Sequence, residues 1–233
     1  FMKLFTLHDS ITQGGKNYPQ IQDHKGGVWK LNAPHSIYNL TYYKLPDDDF
    51  IDFGVLLLAK KCILTDNLSI SGPSSGLLIS HKANDVFTNS NLGSYRIFPA
   101  IIKVNDQEID YYWFHIITNC NDYIIYEKSE FQEVFIGNDS KHGNILHFNC
   151  MNEIKQYNTL IDKQCDESNS PLRKVSYNKL TINKEFITNH DIFRIEHAGR
   201  NTNFIITEYF KQKIIDNKLT GFEFVECQDI FTE

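Results

Sequence analysis

The chain of 233 residues is 41% hydrophobic and 22% charged, so it has the length and apolar content for a sizeable core, and a disordered chain is excluded. A formal net charge of -6 disfavours a nucleic-acid-binding surface, which needs clustered Lys and Arg, and suits a basic protein partner better. The start of the chain lacks a long apolar core with a cleavage site, and no stretch reaches ~18 uninterrupted apolar residues. Secretion and membrane spanning are therefore both disfavoured.

Residues 1–75 alternate short apolar runs with turn formers such as Gln13-Gly14-Gly15, Lys25-Gly26-Gly27 and Leu45-Pro46-Asp47-Asp48-Asp49, a pattern that predicts a β-rich N-terminal lobe. Within it, residues 36–43 alternate large apolar with polar side chains, as a half-buried strand does. Val55-Leu56-Leu57-Leu58 suits a fully buried strand, with a short helix as the alternative. The flexible stretch 69–76 marks a boundary, after which residues 76–233 form an α+β domain that shares its core with the lobe. Leu77-Leu78-Ile79-Ser80 leads into a helix over 81–88, and strands at 96–104, 109–118, 122–127 and 131–136 predict an antiparallel meander.

A strand at 144–149 precedes a helix at 151–161, where Ile154, Tyr157 and Ile161 recur at helical spacing. The polar interval 162–171 reads as an exposed loop, and strands follow at 175–182 and 191–195. The closing unit is the clearest. Asn203-Phe204-Ile205-Ile206 is a strand, Thr207 caps a helix carrying Glu208 in its first turn, and Phe210 and Ile214 share one helical face. Gly221 then permits the turn into Phe222-Glu223-Phe224. Ser80 to Leu92 and Thr207 to Leu219 both span twelve positions, which fits either an internal repeat or two instances of a common unit. The fold expected is α+β, a mainly antiparallel sheet with a few helices packed largely on one face.

Five cysteines, none two residues from another, fit free thiols in a reducing cytoplasm better than a zinc site or disulfide framework. None of the nine histidines stands in a metal-ligand spacing, and no phosphate-binding, dinucleotide or serine-nucleophile motif is present, so neither metal nor cofactor is expected. Cys150, near His147 and a helix start, could be a nucleophile, while Cys120 reads as a small buried hydrophobe. The run Asp47, Asp48, Asp49 and Asp52 is a solvated turn, a negative patch that steers a basic partner, or a weak cation site lacking the glycine and terminal glutamate of a calcium loop. In a strand, Tyr111, Trp113 and His115 point to one face and Tyr112 and Phe114 to the other. Either both faces are buried between sheet and helix, or one exposes aromatic anchors to a partner.

The order of these segments resembles the immunity proteins of bacterial polymorphic toxin systems, families forty-three and eleven, over roughly Leu64 to Val225. The landmarks are Leu64-Thr65-Asp66, Gly76-Leu77-Leu78-Ile79-Ser80, Arg96-Ile97-Phe98-Pro99-Ala100, Asp110-Tyr111-Tyr112-Trp113-Phe114-His115 and Ser129-Glu130-Phe131. Ile192-Phe193-Arg194, Ile206-Thr207-Glu208 and Leu219-Thr220-Gly221-Phe222-Glu223-Phe224 complete the set. The resemblance implies a cytoplasmic, non-catalytic protein that binds a cognate toxin in the producing cell. It supplies no active-site residue, and the N-terminal sixty residues and the 162–171 interval depart from its pattern. Candidate partner-binding residues are Asp47, Asp48, Asp49, Asp52, Tyr112 and Trp113. The alternatives are an enzyme assembled from separated strands, around His115, Cys150 or the acidic run, and a homo-oligomeric scaffold.

Overall fold

The computed structural model describes residues 2–41, 44–46, 49–71, 76–135, 138–168, 171–196 and 204–233. In chain order its elements begin with β1 (Leu4–Asp9), β2 (Ile21–Lys25), β3 (Val55–Leu58), β4 (Asn67–Leu68), β5 (Gly76–Ser80), α1 (His81–Thr88), β6 (Tyr95–Val104) and β7 (Gln107–Ile116). They continue with β8 (Glu130–Phe135), β9 (Asn138–Leu146), α2 (Met151–Ser168), β10 (Arg173–Ile182) and α3 (Lys184–Asn189). The last are β11 (Ile192–Phe193), β12 (Phe204–Thr207), α4 (Glu208–Asp216), β13 (Phe222–Glu226) and β14 (Ile230–Thr232). The fold is α+β and sheet-dominated, and no described helix is long and apolar enough to cross a membrane.

The first sheet has the order β2-β3-β6-β7-β5-β4 and is antiparallel except where β3 lies beside β6. Its ends meet, because Ile21 N–H donates to Ser69 O at 2.9 Å and Ser71 N–H donates to Ile21 O at 3.1 Å. The buried Gln20 side chain staples this seam, its amide donating to Ile63 O and Thr65 Oγ1 while its Oε1 accepts from Ser69 N–H. Pairing there satisfies backbone groups that an open sheet would leave exposed. The second sheet, β11-β12-β1-β13, is wholly antiparallel and holds β1 between two strands from the far end of the chain. The third has the order β14-β10-β8-β9, with β14 parallel to β10. Strands from residues 1–75 thus serve two sheets, β1 in the second and β2 to β4 in the first.

Strand alternation divides the side chains among three apolar clusters. Between the first two sheets, Leu77, Ile79, Phe114 and Ile116 meet Phe5, Leu7, Ile206 and Phe222, with Phe87 of α1 and Phe210 and Ile214 of α4. Phe87 stands edge-on to Phe210 at a centroid distance of 4.9 Å and to Phe114 at 5.3 Å. The far face of the second sheet, through Leu4, Phe193 and Ile205, joins the third sheet, α2 and α3. The far face of the first, through Tyr111 and Trp113, is covered by the N-terminal residues Ile37, Ile51 and Phe53.

The strand, cap, helix and turn unit occurs twice, and the likeness extends to whole sheets. Ser80 Oγ accepts from Ala83 N–H at the start of α1, and Thr207 Oγ1 accepts from Phe210 N–H at the start of α4, each at 3.2 Å. Each strand that runs into a helix lies between a two-residue edge strand, β4 or β11, and a central strand, β7 or β1. That central strand pairs in turn with the strand after the helix, β6 or β13. The arrangement is an internal repeat with one permutation: β7 follows β6, whereas its counterpart β1 stands at the front of the chain.

Two aspartates tie the repeats together. Asp66 accepts from Ser80 Oγ–H at 2.7 Å and from the N–H of Thr220, beyond α4, at 2.8 Å. Asp191 accepts from Thr207 Oγ1–H at 3.1 Å and from the N–H of Asn91, beyond α1, at 2.9 Å. The turn after α4 also needs its glycine. Gly221 has φ 85°, and a Cβ there would run into the Asn67 carbonyl oxygen.

Some expectations change. Instead of a strand over 36–43, Ser36 caps a 3-10 turn at Ile37–Asn39, because Ile37 and Leu40, three apart, bury together; Tyr42 and Tyr43 lie outside the described residues. Residues 122–127 fall in two 3-10 turns, Asn121–Tyr123 and Tyr126–Lys128, so the meander breaks there and β8 joins a different sheet from β7. The polar interval is helical as far as Ser168, since the buried Ile161 and Cys165 extend the stripe of Ile154. Helix α3, capped by Asn183 accepting from Glu185 N–H, had no sequence expectation. Residues 55–58 form a strand, and the 72–75 part of the linker lies outside the described residues.

Asp191→Ala should lower stability by about 2 kcal/mol, because it strands Thr207 and Asn91 donors at a buried joint. The urea midpoint should fall with an unchanged m value, and an unmoved midpoint would show that the clasp contributes nothing.

Candidate functional site

The predicted partner-binding residues separate in the structure. Asp47 and Asp48 lie outside the described residues. The Asp49 side chain is 98% exposed, with Oδ1 3.3 Å from Arg96 Nη1. Asp52 holds a turn instead, its Oδ1 accepting from Gly54 N–H at 3.0 Å. Trp113 is 0% exposed and packs 5.8 Å from the Phe53 ring, beneath the acidic segment, so it offers a partner no surface. Tyr112 is half-buried at the edge of the opposite cluster, 6.0 Å from the His81 ring. The aromatic run is therefore buried on both faces of the sheet, and its two candidate anchors do not join Asp49.

What the structure assembles beside Asp49 comes from three separated segments of the N-terminal region. Ile37 N–H donates to Val28 O at 3.2 Å, Val28 N–H to Asp52 O at 2.9 Å, and Asp52 N–H to His35 O at 2.9 Å. These bonds lace together residues near 28, 36 and 52. Gly27 and Gly54 sit backbone to backbone at the junction, with φ 76° and 62°, and a Cβ on either would overlap the other's chain. On this frame His24 stacks on Trp29 at 4.3 Å, Tyr38 stands edge-on to Trp29 at 6.4 Å, and His35 lies 5.7 Å from Phe50. Trp29 Nε1–H donates to Phe53 O at 3.1 Å, which fixes the indole with its polar tip satisfied. Tyr38, Phe50 and Leu31 keep 42%, 52% and 69% of their surface in solvent. Sequence reading missed this surface because its rings are spread singly over 24–50 with no period; the Gly26-Gly27 turn was its only local signal.

The groups considered for catalysis do not converge. His115 is buried within β7 of the first sheet, while Cys150 is exposed at the start of α2, which packs on the third. At that helix start the Glu153 carboxylate accepts from Asn149 N–H at 2.8 Å, so a side-chain anion already answers the helix field. Burial pushes the Cys120 thiol far up, and burial with Asp229 nearby pushes Cys227 up to about 12. Among the described residues no three His, Cys, Asp or Glu are grouped to hold a metal ion.

The model of the Immunity protein family (Imm11) matches residues 60–229. The chain belongs to that family. None of the curated proteins compared matches it. The Imm11 match takes in both helix-bearing repeats except β1, and it leaves residues 1–59 outside, so the aromatic surface around Trp29 lies beyond the part shared with the family.

Gly54→Ala should cost about 1–3 kcal/mol, since the left-handed backbone and the contact with Gly27 both oppose a Cβ. Tryptophan emission should show Trp29 loosened before global unfolding. Cys227 should resist a thiol reagent at pH values where Cys150 reacts fully. Because its folded pKa is raised, the stability it contributes is complete below the ordinary thiol value of 9.0 and is lost as pH rises towards about 12. Cys227→Ser should flatten that alkaline loss in a melting series.

Proposed function

We propose that this immunity-family protein binds a cognate bacterial toxin and neutralises it in the cytoplasm of the producing cell. The family match over residues 60–229 carries the proposal. The physical design supports it. An inhibitor of this kind needs a preformed surface, typically about 800 Å² on each partner, and no turnover machinery. The chain supplies a stiff double-repeat body and a net charge of -6, which would speed encounter with a basic toxin. The thiols most firmly buried are held in their unreactive form, which suits structural use.

Co-expression with the toxin domain encoded beside this gene should restore growth of the host, and the two chains should copurify. Bound toxin at a hundred times its dissociation constant should stabilise the fold by about 2.7 kcal/mol, read as a raised melting temperature. Equal killing with and without this protein would end the proposal.

A further inference from the structure

We infer that the surface carrying His24, Trp29, Leu31, Tyr38, Asp49 and Phe50 is the recognition face, and that it takes an arginine or lysine side chain of a basic protein partner. The identification of that partner as a toxin rests on the function proposed above; the chemistry of the face does not.

Isolated exposed apolar residues are ordinary, but here several share one laced frame. Tyr38 and Phe50 are about half exposed, Leu31 more so, and Trp29 and His24 form a fixed stack beside them. Aromatic faces attract guanidinium and ammonium groups, and carboxylates at the rim add to the attraction. Asp49 is such a rim group, with its side chain 98% exposed. Asp23 is also exposed, and its Oδ1 accepts from His24 N–H at 2.8 Å. Over residues 23–52 five Asp outweigh three Lys, with three of the Asp consecutive. The frame is already ordered by the Gly27 and Gly54 junction and its backbone bonds, so binding freezes little new freedom.

Position along the chain points the same way. Family members that neutralise different partners must differ somewhere in their contact residues, since discrimination is a difference of affinities. This face lies wholly within residues 1–59, which the family match does not include. A second copy is a poorer occupant, because a two-fold interface would set the same acidic run against itself.

The test uses the whole protein and a blocked Gly-Arg-Gly-Arg-Gly peptide, with Glu in place of Arg as control, followed by tryptophan emission. The chain has two tryptophans, and Trp113 is fully buried, so a change in emission reports Trp29. The arginine peptide should give a saturable change that weakens with salt and is absent with the glutamate peptide. Asp49→Lys and Trp29→Ala should each weaken binding by about tenfold or more. Asp49→Lys alters a side chain almost wholly in solvent, so its effect is not one of misfolding. No emission change up to millimolar arginine peptide, or unaltered binding by Asp49→Lys, would overturn the inference.

In the growth assay, Asp49→Lys and Phe50→Ser should lose protection that the unaltered protein gives. Full protection by both variants sinks this face while the toxin proposal stands. Failure of the unaltered protein sinks the toxin proposal, and the peptide titration still decides the face. Dimerisation abolished by Leu31→Asp would assign the face to a second copy and refute a basic partner.

Discussion

The joint between the first two sheets is the constraint on which the structure depends. Both sheets are apolar on both faces, so neither can stand alone in water. Their shared cluster, centred on Phe87 and Phe210, removes one face of each from solvent. Burial alone is indifferent to direction and would let the sheets slide. Asp66 and Asp191 set the register, because each carboxylate binds the cap of its own repeat and the turn beyond the other repeat's helix. A shift of either sheet would strand donors at both ends.

That joint leaves the outer side of the first sheet to be closed by other means, and the N-terminal region does so. Ile37, Ile51 and Phe53 cover Trp113 from without, and the same segments present Trp29, Tyr38 and Phe50 to solvent. Covering a core and displaying a surface are thus done by neighbouring residues of one frame. The family-matched body can stay constant while the covering segment changes its outward side chains.

Local signals in the sequence were dependable where one turn of chain decides the outcome. Thr207, Gly221 and the Phe210 and Ile214 pair all act within a few residues, and each has the role its chemistry implies. Alternation in β7 correctly divided Trp113 from Tyr112, but it could not say that both faces are covered, because the covering residues come from Ile37, Phe53, Phe87 and others far along the chain. Residues 36–43 look like a strand since large and polar side chains alternate, yet a capped turn buries Ile37 and Leu40 better. The polar face of α2 hid a helix whose buried stripe is narrow. The acidic run was legible as charge, but the division of labour between Asp49 and Asp52 depends on a turn made with Gly54. Whole-sheet repetition was illegible for the same reason as the place of β1: pairing across some two hundred positions leaves no local trace.

The place of β1 also governs when this protein can exist as a finished object. β1 leaves the ribosome first, but its two neighbours, β12 and β13, are translated last. Until they emerge, Leu4, Phe5 and Leu7 have no sheet to enter, and both edges of the strand are open to foreign chains. Nascent or prematurely terminated polypeptide is therefore sticky rather than protective, and a cell that relies on this protein must have completed copies in hand before it meets the threat.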